Sequence, residues 1–371
     1  MRASFFQKFR RITYSTSYLP EIDGLRFLAI FSVVVIMHIS YYLDEKFYNS
    51  GFIENSYWKN FVIEGGNGVP LFFIISGFIL SLPFAKWRLN GERKVSLRNY
   101  YLRRVTRLEP PYVIALLLFF IANVWILNKY SFETLLPHFI ASVFYLHTLV
   151  YHSFSWVLPI AWSLEVEVQF YVLAPLFFLI FLVRSAILRW VLNSAIIMIS
   201  ALYWFDVWNT AHVFKFLHYF FMGILLSDLY CCGITIIKNK YWGLVVGSLS
   251  IAGFLFTPSI HNLPGYLVKT ACMFMLVHTV LSNAYMKRIF TIKSVVIIGG
   301  MCYSIYLLHL GIVSACGRLL QSRWSDHNNP SYFILLAVAF SVVVLIISAV
   351  FFLLVEKPFM RPMGLTTRRS R

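Results

Sequence analysis

The chain has 371 residues, of which 59% are hydrophobic, 18% aromatic and 13% charged, against about 25% charged in typical soluble domains. That composition excludes a string of ordinary soluble domains and predicts an integral membrane protein with many spans. The net charge of +17 sits between apolar runs instead of forming a basic face, so no nucleic-acid partner is expected. Residues 1–19 are basic but lack an apolar core and a cleavage site, and no removable signal peptide is expected there. The first apolar run, Leu25 to Leu43, carries Arg26 at its start and His38 inside it. A helix rising 1.5 Å per residue puts His38 about 18 Å along the axis from Arg26, deep in a hydrocarbon core of about 30 Å. A titratable side chain at that depth marks a functional site by default.

Ten apolar runs follow in order: about 25 to 43, 66 to 84, 109 to 128, 158 to 183, 190 to 206, 212 to 230, 241 to 258, 264 to 286, 294 to 317 and 332 to 354. Residues 131 to 157, with Glu133, His138, His147 and His152, read as an amphipathic helix and loop at the interface. An internal N-terminus places 25 of the 32 Lys and Arg on inner segments, as the positive-inside rule asks. The expected fold is therefore all-α, with about ten transmembrane helices and both termini cytoplasmic. One membrane domain, 20–358, lies between the basic N-terminal segment and a basic tail, 359–371. Neither repeats nor an appended soluble domain are expected. The five cysteines lack CxxC spacing, so neither a disulfide framework nor a zinc site is expected.

With orientation set, depth follows by counting. Ser76, in a glycine-rich second span, lies about 15 Å below the outer end. In the fourth span Glu167 falls about 13 Å in, sharing a helical face with Ser163 and Tyr171, while Glu165 points about 200° away. His309, in YSIYLLH, also counts to the outer half, with Ser304 and Tyr306 below it. His38, Glu167 and His309 thus come from three spans to one expected depth. At the inner face Arg104 and Arg107, three apart on one helical face, can grip phosphate by forked hydrogen bonds or meet anionic lipid.

The segments PEIDGLRFLAIFSVVVIMH, GNGVPLFFIISGF, RRVTRL, WSLEVEVQFY, YSIYLLH and EKPF, in this order, resemble the membrane-bound acyltransferase 3 family. Its bacterial members O-acylate sugars and similar acceptors of the cell surface, O-antigen among them. The resemblance implies a cytoplasmic acyl-CoA donor, acetyl-CoA or another short acyl-CoA, and a carbohydrate or lipid-linked glycan acceptor near the outer leaflet. It also implies a place in the bacterial inner membrane among its lipids, with no metal. His38 matches the family's catalytic histidine and Arg26 its basic partner. Arg104 and Arg107 match a donor-binding pair, and Glu167 a family glutamate. Eleven residues separate Arg26 from His38 where the family has ten, which turns His38 by about 100° on a regular helix. Pro70 stands where many relatives carry an acid.

The candidate site is therefore catalytic His38, Glu167 and His309, with Arg26, Ser76, Arg104, Arg107 and Tyr306 holding the donor. Glu167 would orient His38, which acts either as general base on an acceptor hydroxyl or as a nucleophile. The rival reading is a proton-coupled transporter or flippase that uses the same buried groups as a relay.

Overall fold

The computed structural model describes residues 9, 11, 18–48, 53, 58–206, 211–259, 262–321 and 330–360. Most of the basic segment 1–19 and of the tail 359–371 lies outside these residues. Every regular element among the described residues is helical. The long helices are α1 (Pro20–Phe47), α2 (Lys59–Leu89) and α3 (Leu97–Ile126). After the short α4 (Phe132–Val143) and α5 (His147–Tyr151) come α6 (Ala161–Leu182), α7 (Ala186–Asp206), α8 (Leu217–Cys231) and α9 (Lys240–Phe256). The chain closes with α10 (Leu263–Ser282), α11 (Ala284–Phe290), α12 (Lys293–Gly300), α13 (Cys302–Gln321) and α14 (Ser331–Phe359).

Among the described residues eight helices are long and apolar enough to cross a membrane, and α8 and α9 are shorter apolar helices at the sixth and seventh runs of the sequence. The fold is thus an all-helical membrane bundle. An apolar face is visible on α14, where Ile334, Val338, Val342, Ile346, Val350 and Leu354 are exposed at helical spacing, a stripe suited to hydrocarbon tails. The helices start at polar caps: the side chains of Ser96, Ser131, Asn239, Asn262 and Asn283 each accept a first-turn amide, satisfying groups that the helix cannot pair.

Helices α1, α2, α8 and α10 form the interior. The contact of α2 with α8 is backbone to backbone, because a Cβ on Gly77 would lie 2.2 Å from the Phe220 carbonyl oxygen and one on Gly223 2.3 Å from that of Ile74. Only glycine permits that approach. Three of the sequence-derived runs differ from the helices found. The third begins at Leu97, so Arg103, Arg104 and Arg107 are helical and Pro110 and Pro111 lie inside α3. The ninth breaks at Met301 into α12 and α13, because the end of α12 is pressed on α1: a Cβ on Gly299 would meet the Asp23 carbonyl oxygen at 1.7 Å. The eighth ends at Ser282, where Asn283 starts α11 instead.

Residues 131 to 157 do not form a span. They make α4, α5 and an irregular stretch that returns into the bundle, with Ser155, Val157, Leu158 and Ile160 buried. Tyr145 and His152 turn this chain at positive φ of 56° and 49°, positions outside the regions most side chains prefer. Tyr112 of α3 ties the cap down by donating its hydroxyl to the Ser142 carbonyl at 2.9 Å.

Candidate functional site

A cavity with about 100 Å³ of free space opens between α1, α2, α3, α6 and α13. Six residues that the sequence singled out line it: Arg26, Ser76, Arg104, Arg107, Glu167 and Tyr306. Arg26 is aimed by its own helix, since its Nη1 donates to Asp23 Oδ1 at 2.6 Å one turn back. Arg11 also reaches Asp23, at 3.3 Å, and Tyr18 donates to its other oxygen at 2.8 Å. Asp23 had no role in the sequence reading, although an acid three before Arg26 in PEIDGLR is the pattern of an intrahelical ion pair. Arg104 lies with its guanidinium carbon 5.7 Å from the Tyr171 ring and 5.9 Å from that of Tyr100, within cation–π range. The Nε atoms of Arg104 and Arg107 are both buried and have no partner among the described residues. A buried guanidinium N–H left unpaired is costly, and the donors fit an anion such as phosphate.

Glu167 belongs to this donor-like side. It accepts from the hydroxyls of Ser76 and Tyr171, so the face Ser163, Glu167, Tyr171 read from the sequence is real. Among the described residues no hydrogen bond joins it to His38, its expected partner, which pairs with His309. Glu165 points away, as the 200° rotation requires, and accepts from the amide and hydroxyl of Thr148 at 2.8 and 2.6 Å. Before α6 the chain is already packed into the bundle at Val157 and Leu158.

The other two residues of that count do meet. His38 Nδ1 and His309 Nε2 are 2.7 Å apart, with the rings stacked 4.9 Å between centroids. His309 Nδ1 lies 2.7 Å from the Tyr306 carbonyl oxygen. A carbonyl only accepts, so His309 Nδ1 carries the proton and, in the neutral ring, Nε2 is an acceptor. His38 Nδ1 must then donate, which leaves the lone pair of His38 at Nε2. The wiring thus prepares one histidine nitrogen as base or nucleophile by fixing its tautomer. His309 is fully buried and His38 partly exposed.

The helix around His38 is not regular. Ser32–Ile39 is π-helical, and a π turn takes up one residue more than an α turn. The extra residue between Arg26 and His38 is absorbed there, and with it the 100° offset that a regular helix would have imposed. The turn Gly65–Asn67 packs on this segment, where Ser32 Oγ donates to the Gly65 carbonyl at 2.8 Å. Tyr306 joins the two halves of the site: it lines the cavity, its carbonyl holds His309, and its hydroxyl bonds that of Ser163 at 2.6 Å. Cys302 and Tyr303, also in the lining, carried no signal that a sequence count could use. Among the described residues no group of three or more His, Cys, Asp or Glu side chains is placed to hold a metal ion.

A family profile described as an acyltransferase domain matches residues 19–352. The chain is 26% identical over 84% of its length to the peptidoglycan O-acetyltransferase OatA of Listeria monocytogenes, covering 52% of that protein. It is 23% identical over 95% of its length to a Staphylococcus aureus protein provisionally named an O-acetyltransferase, covering 58% of it. Over half of its length it is 28% identical to YrhL of Bacillus subtilis, provisionally named a peptidoglycan O-acetyltransferase, covering 29% of that protein. The chain therefore spans little more than half of the longer-matching curated relatives. No solved structure is significantly similar to it.

Proposed function

The chain belongs to the acyltransferase-domain family, and from that premise we propose that it moves a short acyl group, acetyl above all, from cytoplasmic acyl-CoA to a hydroxyl of an envelope glycan. Peptidoglycan is the acceptor that the names of relatives give, and the same chemistry would serve a lipid-linked precursor. The observation that carries this reading is one cavity that joins guanidiniums from two helices to Tyr306, whose carbonyl fixes the His309–His38 pair.

The division of labour follows from the groups present. Arg104 and Arg107 hold the donor's phosphates with Arg26 beside them, and Glu167 supports that end by anchoring Tyr171 beneath Arg104. The thioester arm runs along Ser76 and Tyr306 toward His38. There Nε2 takes the proton of the acceptor hydroxyl, the alkoxide oxygen bonds the thioester carbonyl carbon, and the C–S bond breaks. The proton held by His38 then passes to the departing thiolate, so that ester and free CoA thiol leave a neutral histidine behind. If His38 Nε2 instead bonds the acyl carbon first, the C–S bond breaks, CoA leaves as the thiolate, and an acyl-enzyme accumulates without acceptor. The cation count favours both termini in the cytoplasm of a bacterial inner membrane, with ten helices crossing it.

Binding of acetyl-CoA to the purified protein, followed by calorimetry, tests the donor end. Replacing both arginines, Arg104→Ala/Arg107→Ala, should weaken binding by roughly tenfold or more, the scale of one lost charge-assisted hydrogen bond. Unchanged affinity, or solute movement across liposomes with no thioester consumed, would refute this reading and leave the proton-coupled transporter.

A further inference from the structure

The motif EKPF places Glu356 in the last helix, 52 residues from its partner in sequence, and nothing in the mechanism above uses it. It is fully buried at the end of α14, in the π-helical segment Phe352–Glu356. Its Oε2 accepts from the backbone amide of Ser304 at 3.2 Å and from the Ser304 hydroxyl at 2.5 Å. Ser304 is the third residue of α13, the helix that restarts after the break at Met301. The first intrahelical bond of α13 runs from Ile305 N to the Met301 carbonyl at 3.1 Å, so the amide of Ser304 is one of the donors a helix cannot satisfy itself. In lipid no water stands in for the missing acceptor. Glu356 supplies it from another helix.

We propose that Glu356 is a positioning residue for acyl transfer, a cap donated in trans that fixes the height and rotation of α13. What α13 carries makes this consequential. Tyr303 donates its hydroxyl to the Leu108 carbonyl at 2.8 Å beside Arg107, Tyr306 lines the cavity, and His309 accepts from His38. One side chain at the first turn therefore sets the helix that carries the histidine partner of His38, while the guanidiniums of the donor end stand on α1 and α3. The second oxygen, Oε1, is buried with no partner among the described residues, so one acceptor atom does the holding. This inference rests on the acyl-transfer reading for its kinetic consequence, though not for its geometry.

The test compares Glu356→Ala, Glu356→Gln and Ser304→Ala with the wild-type chain in liposomes, by acyl-transfer kinetics and by ¹⁵N NMR of histidine-labelled protein. Glutamine keeps a carbonyl oxygen that accepts from Ser304, so it should stay within about threefold of wild-type kcat. Alanine should lower kcat by about 10²-fold, the cost of misplacing reacting groups by about 1 Å, with donor KM moved less than about twofold. Ser304→Ala should fall between them. The ring signals of the His38–His309 hydrogen bond should persist in Glu356→Gln and be lost in Glu356→Ala. Alanine at wild-type kcat with the ring signals intact would overturn the proposal, as would parallel loss of kcat, KM and thermal stability in all three variants. A wild-type chain with the ring signals but no turnover would overturn the acyl-transfer reading instead, while the signals of the variants still decide the role of Glu356.

Discussion

The His38–His309 pair lies among the long helices and the His138–His147 pair lies in the α4–α5 cap, yet both are joined Nδ1 to Nε2, at 2.7 and 2.8 Å. In both, the second ring turns its Nδ1 to a backbone carbonyl, Tyr306 at 2.7 Å and Ser153 at 3.2 Å. The same tautomer argument therefore leaves a lone pair at Nε2 of His38 and of His138. Their surroundings differ. His38 bonds His309, which Tyr306 of the guanidinium cavity holds, whereas the His138 ring is stacked on Trp156 at 4.1 Å and tilted against Tyr151 at 4.3 Å. Next to it Thr148 is tied to Glu165 of α6. In the proposed mechanism the first pair is the reactive device, and the second, covered by aromatic rings, is a fastener.

Substitutions at the second ring of each pair separate these roles. His309→Gln removes the group that fixes the His38 tautomer, and acyl transfer should fall by about 10²-fold or more, the usual scale for losing general acid–base function. The initial rate of CoA thiol release at saturating donor reads this out, and a loss under threefold would mean that His38 needs no partner.

The cap pair should give a smaller effect of another kind. Burial holds both His138 and His147 below the ordinary histidine value. The unfolded chain then binds more protons than the folded one as pH falls through about 6.5, so folded stability contributed by the cap is lost below that pH and is fully present above it. Thermal unfolding of the purified protein should show a midpoint that drops between about pH 7 and pH 5. His138→Gln/His147→Gln should flatten that slope while leaving transfer at pH 7 within about twofold. A transfer loss as large as that of His309→Gln would break the distinction between the pairs.

Much of this molecule is legible in the sequence, for reasons that also mark where reading stops. Hydrocarbon demands long apolar helices, so the runs were visible. Spacings inside one helix carried over: Arg104 and Arg107 line the same cavity, and Tyr171 bonds Glu167 four residues away. Counting depth from span ends brings together His38 and His309, whose ring nitrogens lie 2.7 Å apart, whereas among the described residues Glu167 is hydrogen-bonded to Ser76 and Tyr171 and not to His38. It assumed that each helix starts at the membrane surface, while Val157 and Leu158 are already buried before α6 begins. It also assumed regular helices, which the π turn at Ser32–Ile39 is not. Contacts between distant helices, such as Glu356 with Ser304, depend on how the bundle packs and leave no periodic trace.

Acetyl transfer by proteoliposomes from labelled acetyl-CoA to a peptidoglycan fragment, comparing the wild-type chain with His38→Ala, tests the central claim most directly. The account predicts that His38→Ala binds acetyl-CoA with wild-type affinity and transfers at least about 10²-fold more slowly. Transfer at the wild-type rate by His38→Ala would contradict it.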